Sequence, residues 1–432
     1  MPQTMLQIIN DIWMLARHIV SDDYDEALRR LDQHLPLTIH EVPSGTQCWT
    51  WKIPNKWTCK EAWVEAVPAV SDSPLPMGEG TGVRERLIDL ADHPLHIVYG
   101  SLPINRVVSR DELMAHLTWS DDRPNAIPFE FKYYEPDWGF CLPKNWLPRF
   151  TAEQYHVKID AVSEPGSLKI GEHFIQGESD RCVVIVSHLC HPAMVNDDLA
   201  GVAVAADVAR HIEKPYYSYR FLFLPETIGS VAYLSQHEDL IENMAAGLFL
   251  EMLASSGPLV LQHSYEHDAR LDHAASYVLA KHQPDLQEGA FRTIIGNDEM
   301  VFDGPGVRIP MVSLSRWPYP EYHTSDDNPN LVVPENLVHA RDSVLDLIRY
   351  LEADYVPTRN FRGPLFLSGY GLWVDWRKNR KLNRALEWVI NNLEGDYSIS
   401  ELAAKVDVDF WELKEWLDRA LAHGVIKKRP AL

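Results

Sequence analysis

Apolar residues recur at helical spacing over residues 3–36, at Ile8, Ile9, Ile12, Leu15, Ala16 and Ile19 and then at Tyr24, Ala27 and Leu28, so this stretch is expected to be amphipathic helix. Pro43-Ser44-Gly45 breaks the period, and the Trp49/Trp51 alternation predicts a loop running into a strand. From about residue 60 to 154 the segments are short. AWVEA, LHIVYGSLP, INRVVS and FEFKYYEPDWGFCLP read as strands interrupted by Pro and Asp, with a small helix at DELMAHL and an exposed loop at 73–81. Past residue 155, after YHVKIDAV and HFIQGES, strands and helices alternate. Val183–Val186 form a β-branched run of the kind buried on both faces of a parallel sheet, followed by the helix VAVAADVAR. SYRFLFLP (218–225) and AAGLFLEML (245–253) are further buried strands. A helix around 268–282, the stretch IPMVSLSRW and the long helix NLVHARDSVLDLIRYLEADY complete the series. Such alternation argues for a mainly parallel sheet covered by helices. The tail KLNRALEWVINNL, SISELAAKV, DFWELKEWLDRALAHG and VIKKRP has the outline of a winged helix-turn-helix. The expected architecture is an α/β domain made of 1–60 and 155–365, a β-rich insertion at 61–154 and a winged helix at 378–432.

Composition narrows the partners. Lys+Arg 40 against Asp+Glu 62 gives a net charge of −22, which repels nucleic acid and anionic membranes. In the tail, the helix at 409–422 carries Asp409, Glu412, Glu415 and Asp418 against Lys414 and Arg419, opposing phosphate contacts. Trp411 and Trp416 favour packing or subunit contact instead, leaving a homo-oligomer open. No apolar run approaches the ~20 residues of a spanning helix. The N-terminus lacks the basic and small-residue marks of a signal peptide, and five widely spaced cysteines fit reduced thiols in the cytoplasm.

Candidate chemistry gathers at strand ends, where open α/β sheets place their ligands. His188 closes one buried strand, Asp197 lies in the next loop, Glu226 and Glu251 end two further strands, and His323 sits in PEYHTSDD. Zinc takes a few His and carboxylate ligands with one position left for water, and a nearby free carboxylate can accept that water's proton. Glu226 is placed for that task, or to cap the helix that follows it.

The segments SH-x-CHP…NDDLAG, LPETIGS, LEM and PEYHTSDD resemble the di-zinc exopeptidases of the bacterial leucyl aminopeptidase and glutamate carboxypeptidase type, which have a phosphorylase/hydrolase-like sheet. More narrowly, PSGT, YYEPDWGFC and GSLKIGE extend the resemblance over nearly the whole chain. It is to a group of zinc aminopeptidase-like proteins with an inserted β domain and a C-terminal winged helix, often met among polysaccharide-biosynthesis proteins. The resemblance implies His188, Asp197, Glu251 and His323 as metal ligands, a cis bond between Asp197 and Asp198, and Glu226 as general base. Two positions depart from it. Thr227 stands where the peptidases have a second Glu ligand, which argues for one zinc rather than two. Cys190 stands where an Asp orients the first His. His191 could compensate as a ligand or cap its loop. Asp298 and Glu299 could meet a substrate amino group, Arg316 and Tyr322 a carboxylate or oxyanion, and Asp326 could orient His323. Two functions follow: a zinc-dependent aminopeptidase-like hydrolase of a small peptide or amide, or a catalytically degenerate relative with a structural metal that acts by binding a partner.

Overall fold

A computed structural model describes residues 3–68, 86–133 and 135–432, so the 73–81 loop lies outside the described residues. The frame is an eight-stranded mixed sheet. Its order is Thr38–Pro43, Ser167–Ile175, Ser218–Leu224, Cys182–His188, Met244–Leu250, Met311–Ser315, Val260–Gln262 and Gln287–Gly289. The four strands at 218–224, 182–188, 244–250 and 311–315 run parallel, so their carboxyl ends point the same way. Cys182–His188 is at the middle and wholly buried. Val183 and Ile185 join the core on one face, while Val184 and Val186 join the core on the other. That is what an unbroken β-branched run is suited to, each such side chain contributing about 1.5–3 kcal/mol by leaving water.

The first core is closed by the helices Gln3–Ile12, Leu199–Ala209, Arg270–His282 and Pro334–Ala353. Leu199–Ala209 is apolar apart from Asp207, which pairs with Arg341, and is buried throughout, as suits a helix sandwiched between sheet and other helices. The other face is covered by Ile228–Gln236 and the short helix Glu299–Phe302. The periodic N-terminal stretch is two helices, Gln3–Ile12 and Asp22–Asp32, because Ser21 caps the second by accepting from Tyr24 N–H.

A second sheet of four antiparallel strands, in the order Arg86–Asp89, Lys56–Ala66, Gln154–Glu164 and Ile104–Ser109, has its own hydrophobic core. By its hydrogen bonds, the strand spelled YHVKIDAV belongs to this sheet and not to the larger one. Among the described residues, the FEFKYYEPDWGFCLP segment forms only isolated bridges and the two-residue strand Phe140–Cys141. Pro128 and Pro136 each lack the N–H that a continuous ladder uses. The tail folds as helices Arg380–Asn391, Ile399–Lys405 and Phe410–Ala422 and the strand Ile426–Pro430. That strand pairs antiparallel with Tyr355–Arg359, which directly follows the long helix.

Candidate functional site

The parallel register sets His188 beside Leu224, so the loops leaving the central strands converge above one edge. His188 Nε2 lies 3.2 Å from Asp197 Oδ1, and His323 Nε2 lies 3.1 Å from Asp197 Oδ2. His191 completes the group, with Nδ1 3.6 Å from Asp197 Oδ1 and Nε2 3.4 Å from Glu226 Oε2. The ligand atoms of His191, Asp197 and His323 all lie within 4.8 Å of one another, as do those of His188, Cys190 and His191. Cys190 Sγ also accepts a hydrogen bond from Glu226 N–H at 3.1 Å.

These atoms are buried and unsatisfied. His188 Nε2, Asp197 Oδ2, His323 Nε2 and Glu251 Oε1 have no hydrogen-bond partner, a costly state unless something else engages them. Burial drives the His188 imidazole down to about 4 and that of His191 well below its usual range, which keeps both in the neutral, ligating form. Burial followed by the charges of Asp298, Asp197 and Glu299 pushes Glu226 up to about 8. Burial and then Glu299, Asp198 and Asp197 push Glu251 well up, and burial carries Asp298 and Glu299 each to about 7. Crowded carboxyl groups with two neutral imidazoles and orphaned acceptors form a donor set suited to a divalent cation.

The backbone is held to this geometry by Asp198, already marked in the sequence, and by residues that sequence patterns do not flag. Asp327 accepts from the N–H groups of Val195, Asn196 and Asp197 at 3.1, 2.6 and 3.0 Å and from the Tyr319 hydroxyl at 2.8 Å. Asn196 Oδ1 accepts from the N–H groups of Ala254 and Ser255, and Asp198 Oδ1 from those of Gly201 and Met252. Asp198 thereby caps the helix Leu199–Ala209 and ties it to the loop after Glu251; its bond to Asp197 is cis. Arg17, fully buried, donates to the carbonyls of Leu189, His191 and Met194, and on its other side to those of Ile12 and Trp13. The only sequence hint of Arg17 is a charge in the loop after an apolar helix. Ala193, Thr227, Met252 and His323 all have left-handed backbone, with φ of 51°, 59°, 52° and 54°, a clustering of rare conformations around one site.

The other candidates divide. Asn297 donates to Glu251 from a third loop. Asp298 accepts from Thr227 N–H and the Ser230 hydroxyl, and Glu299 from Asn297 N–H and Gln262, so both acids lie in the buried wall behind Glu226. Tyr322 stacks on His323, centroids 3.8 Å apart and planes 15° off parallel. Arg316 is spent elsewhere: it is buried and bonded to the carbonyls of Leu253 and Gly257 and to His339. Asp326 is turned to the Arg123 guanidinium, which hydrogen-bonds it through two nitrogens, and not to the His323 ring. Arg123 belongs to the β-rich segment, which also sews itself to the His323 loop through Phe129 N–H to His323 O and Ser325 N–H to Ile127 O, each 2.8 Å.

Comparison with known proteins places the chain. Residues 6–354 match the family model described as "Domain of unknown function (DUF4910)". The chain belongs to this family. A Clostridium acetobutylicum relative, named as a polysaccharide biosynthesis protein with an aminopeptidase-like domain, is 30% identical over 420 residues, covering 94% of this chain and 92% of its own. A Clostridium acetobutylicum crystal structure described as that of a peptidase superposes with a TM-score of 0.86 at 29% identity, over 99% of this chain and 96% of the other. The fold is also that of a zinc aminopeptidase from Bacillus subtilis (TM-score 0.55, 12% identity, 80% and 94% covered). An aminopeptidase from an Aneurinibacillus species shares it too (0.51, 14%, 82% and 94%). The family therefore has the aminopeptidase fold expected from the sequence. Among the described residues, no helix is long and apolar enough to cross a membrane.

Proposed function

We propose that this member of the family is a zinc-dependent aminopeptidase-like hydrolase that cleaves an amide bond of a small peptide or peptide-like conjugate. The supporting observation is the convergence of unsatisfied buried ligand atoms on His188, Asp197 and His323 beside Glu226, whose side chain keeps 33% exposure while those of His188 and Asp197 keep 1% and 3%. Asp197 would hold one zinc together with the imidazoles of His188, His323 and His191, and Glu251 would supply a further oxygen. His191 takes up the role that Thr227, with only a neutral hydroxyl, cannot fill. A zinc ion bound there supplies Lewis acidity, polarising the carbonyl and acidifying water.

The chain's own groups do the rest. The Glu226 carboxylate accepts a proton from the attacking water and returns it to the departing amine, a task worth about 10²–10⁴ in rate. Glu226 N–H on Cys190 and Asp298 on Thr227 N–H fix the start of the following helix, so the carboxylate keeps its aim. Phe129, edge-on to both His191 and His323 at 5.4 and 5.3 Å, shields the imidazoles from bulk water. In this reading the tail is a winged helix used for protein contact rather than for DNA.

The test is cobalt substitution combined with turnover. The visible spectrum of the cobalt protein should lose its coordination signature in His188→Ala, His191→Ala and His323→Ala. Glu226→Gln should keep the signature and lose turnover on a panel of aminoacyl and N-acyl amides. No turnover on any substrate by the metal-loaded wild type would leave the binding-protein reading instead.

A further inference from the structure

The β-rich segment builds one wall of a cleft of about 520 Å³ whose floor includes His191 and Glu226. That volume is several times what one aliphatic side chain occupies, so the cleft has room for a substrate side chain beyond His191 and Glu226. The wall is written in the sequence as Phe129-Glu130-Phe131-Lys132-Tyr133, an alternation that puts every second residue on one side. The structure bears this out. Phe129 meets the two imidazoles edge-on. Phe131 follows at 5.8 Å from Phe129, and Tyr133 lies parallel to Phe131 at 4.6 Å and 18°. His18 is parallel to Tyr133 at 5.1 Å and 22°, with the His18 Nδ1 3.1 Å from the Tyr133 hydroxyl. The rings thus form a continuous series leading away from the scissile position.

The series is rigid. Tyr99 N–H donates to Glu130 O and Lys132 N–H to Tyr99 O, at 2.9 and 2.7 Å. Gly100 has φ of 84° and lies so close beneath that a Cβ would sit 3.0 Å from Lys132 O. Yet the ring nearest the solvent is incomplete: Phe131 has Tyr133 against one face and remains 48% exposed. Trp51, Leu102 and Val162, 36%, 46% and 43% exposed, line the same cleft. Among the described lining residues, Glu226 at the floor is the only acid.

We infer that the cleft selects amide substrates bearing a planar aromatic ring, which stacks on the open face of Phe131, opposite Tyr133, and extends the parallel stack of His18, Tyr133 and Phe131 by one member. The inference rests on the hydrolase reading for the nature of the scissile bond, but ring recognition is independent of turnover. Offset-stacked aromatic pairs gain about 0.5–1.5 kcal/mol beyond area burial, which corresponds to roughly 2- to 12-fold in affinity.

The test is equilibrium binding by calorimetry of phenylalaninamide and cyclohexylalaninamide, equal in charge and close in apolar bulk, to the zinc-loaded Glu226→Gln protein, in which no probe is consumed. The expected result is binding of the phenyl probe roughly 2- to 12-fold tighter than the cyclohexyl probe. The ratio should fall to about one in the added variant Phe131→Ala and persist in Phe131→Tyr, which keeps the flat face and checks that the fold is intact. Equal affinities for the two probes, or a ratio indifferent to Phe131→Ala, would overturn the inference. Ring discrimination without turnover in the wild type would sink the hydrolase reading alone. Turnover without ring discrimination would sink the aromatic subsite alone.

Discussion

Replacing Arg17 by Met probes how the site loop is held. The Arg17 guanidinium joins the end of the first helix, at the carbonyls of Ile12 and Trp13, to the loop carrying His191, at the carbonyls of Leu189, His191 and Met194. Burial lowers its pKa from 12.5 to about 10, a desolvation cost of about 3 kcal/mol at ~1.4 kcal/mol per pH unit. Methionine removes that cost and nearly preserves the volume, but it strands three carbonyls of the site loop at about 1–3 kcal/mol each. At the middle of that range the three carbonyls outweigh the relief, so the expected net loss of stability is about 3 kcal/mol, measured by urea unfolding of the metal-free protein. Because the loop also aims His191, zinc affinity from chelator competition should fall by about 10–100-fold, the usual effect of removing a group that orients a ligand. A Met variant with stability within about 0.5 kcal/mol of wild type and unchanged zinc affinity would refute the reasoning. Arg17→Lys keeps the charge but cannot span five acceptors, and should fall between the two.

Asp327→Asn removes one charged acceptor from three N–H groups of the metal loop, and should cost about 1–3 kcal/mol and weaken zinc; intact zinc affinity would show that Asn196 and Asp198 hold the loop by themselves. Gly201→Ala would place its Cβ 2.1 Å from Leu250 O and 2.6 Å from the Asp198 carboxylate, so the strand carrying Glu251 must shift. A loss of about 2 kcal/mol or more on thermal unfolding is expected, within the range for overpacking. His263 gives a pH test remote from the site. Burial lowers its pKa, but hydrogen bonds to Asp272 at 3.1 Å and Glu288 at 2.7 Å outweigh burial and leave it raised above 6.5. A raised folded-state pKa contributes stability that is fully present below the unfolded value and lost as pH rises through the folded one. The stability gap between wild type and His263→Gln should therefore shrink from pH 6 to pH 9, and a gap that stays constant would show that the imidazolium carries no part of it.

The pattern of residues by itself determined the layered α/β frame and the strand ends where the candidate site residues gather. A β-branched run such as Val183–Val186, set among alternating helices, fits a strand buried on both faces of a parallel sheet, and a loop leaving such a strand emerges at the end of the sheet. His188, Asp197, Glu226, Glu251 and His323 were legible for that reason, each lying at or just beyond the end of a buried strand or within a dense polar motif. Local pattern carries no information about partners far along the chain, and there the tertiary structure decided. Asp326 and Asp327 are indistinguishable as neighbours in PEYHTSDD, yet one pairs with Arg123 and the other gathers the three N–H groups of Val195, Asn196 and Asp197. Arg316 looked like an anion ligand beside His323 until its donors were found bonded to backbone carbonyls. His191 lies within 4.8 Å of the ligand atoms of Asp197 and His323, and the His323 loop is hydrogen-bonded to the distant β-rich segment. Backbone groups must find partners wherever the chain brings them, and in this protein those partners lie as far as 215 residues away, as between the Leu432 N–H and the Tyr217 hydroxyl.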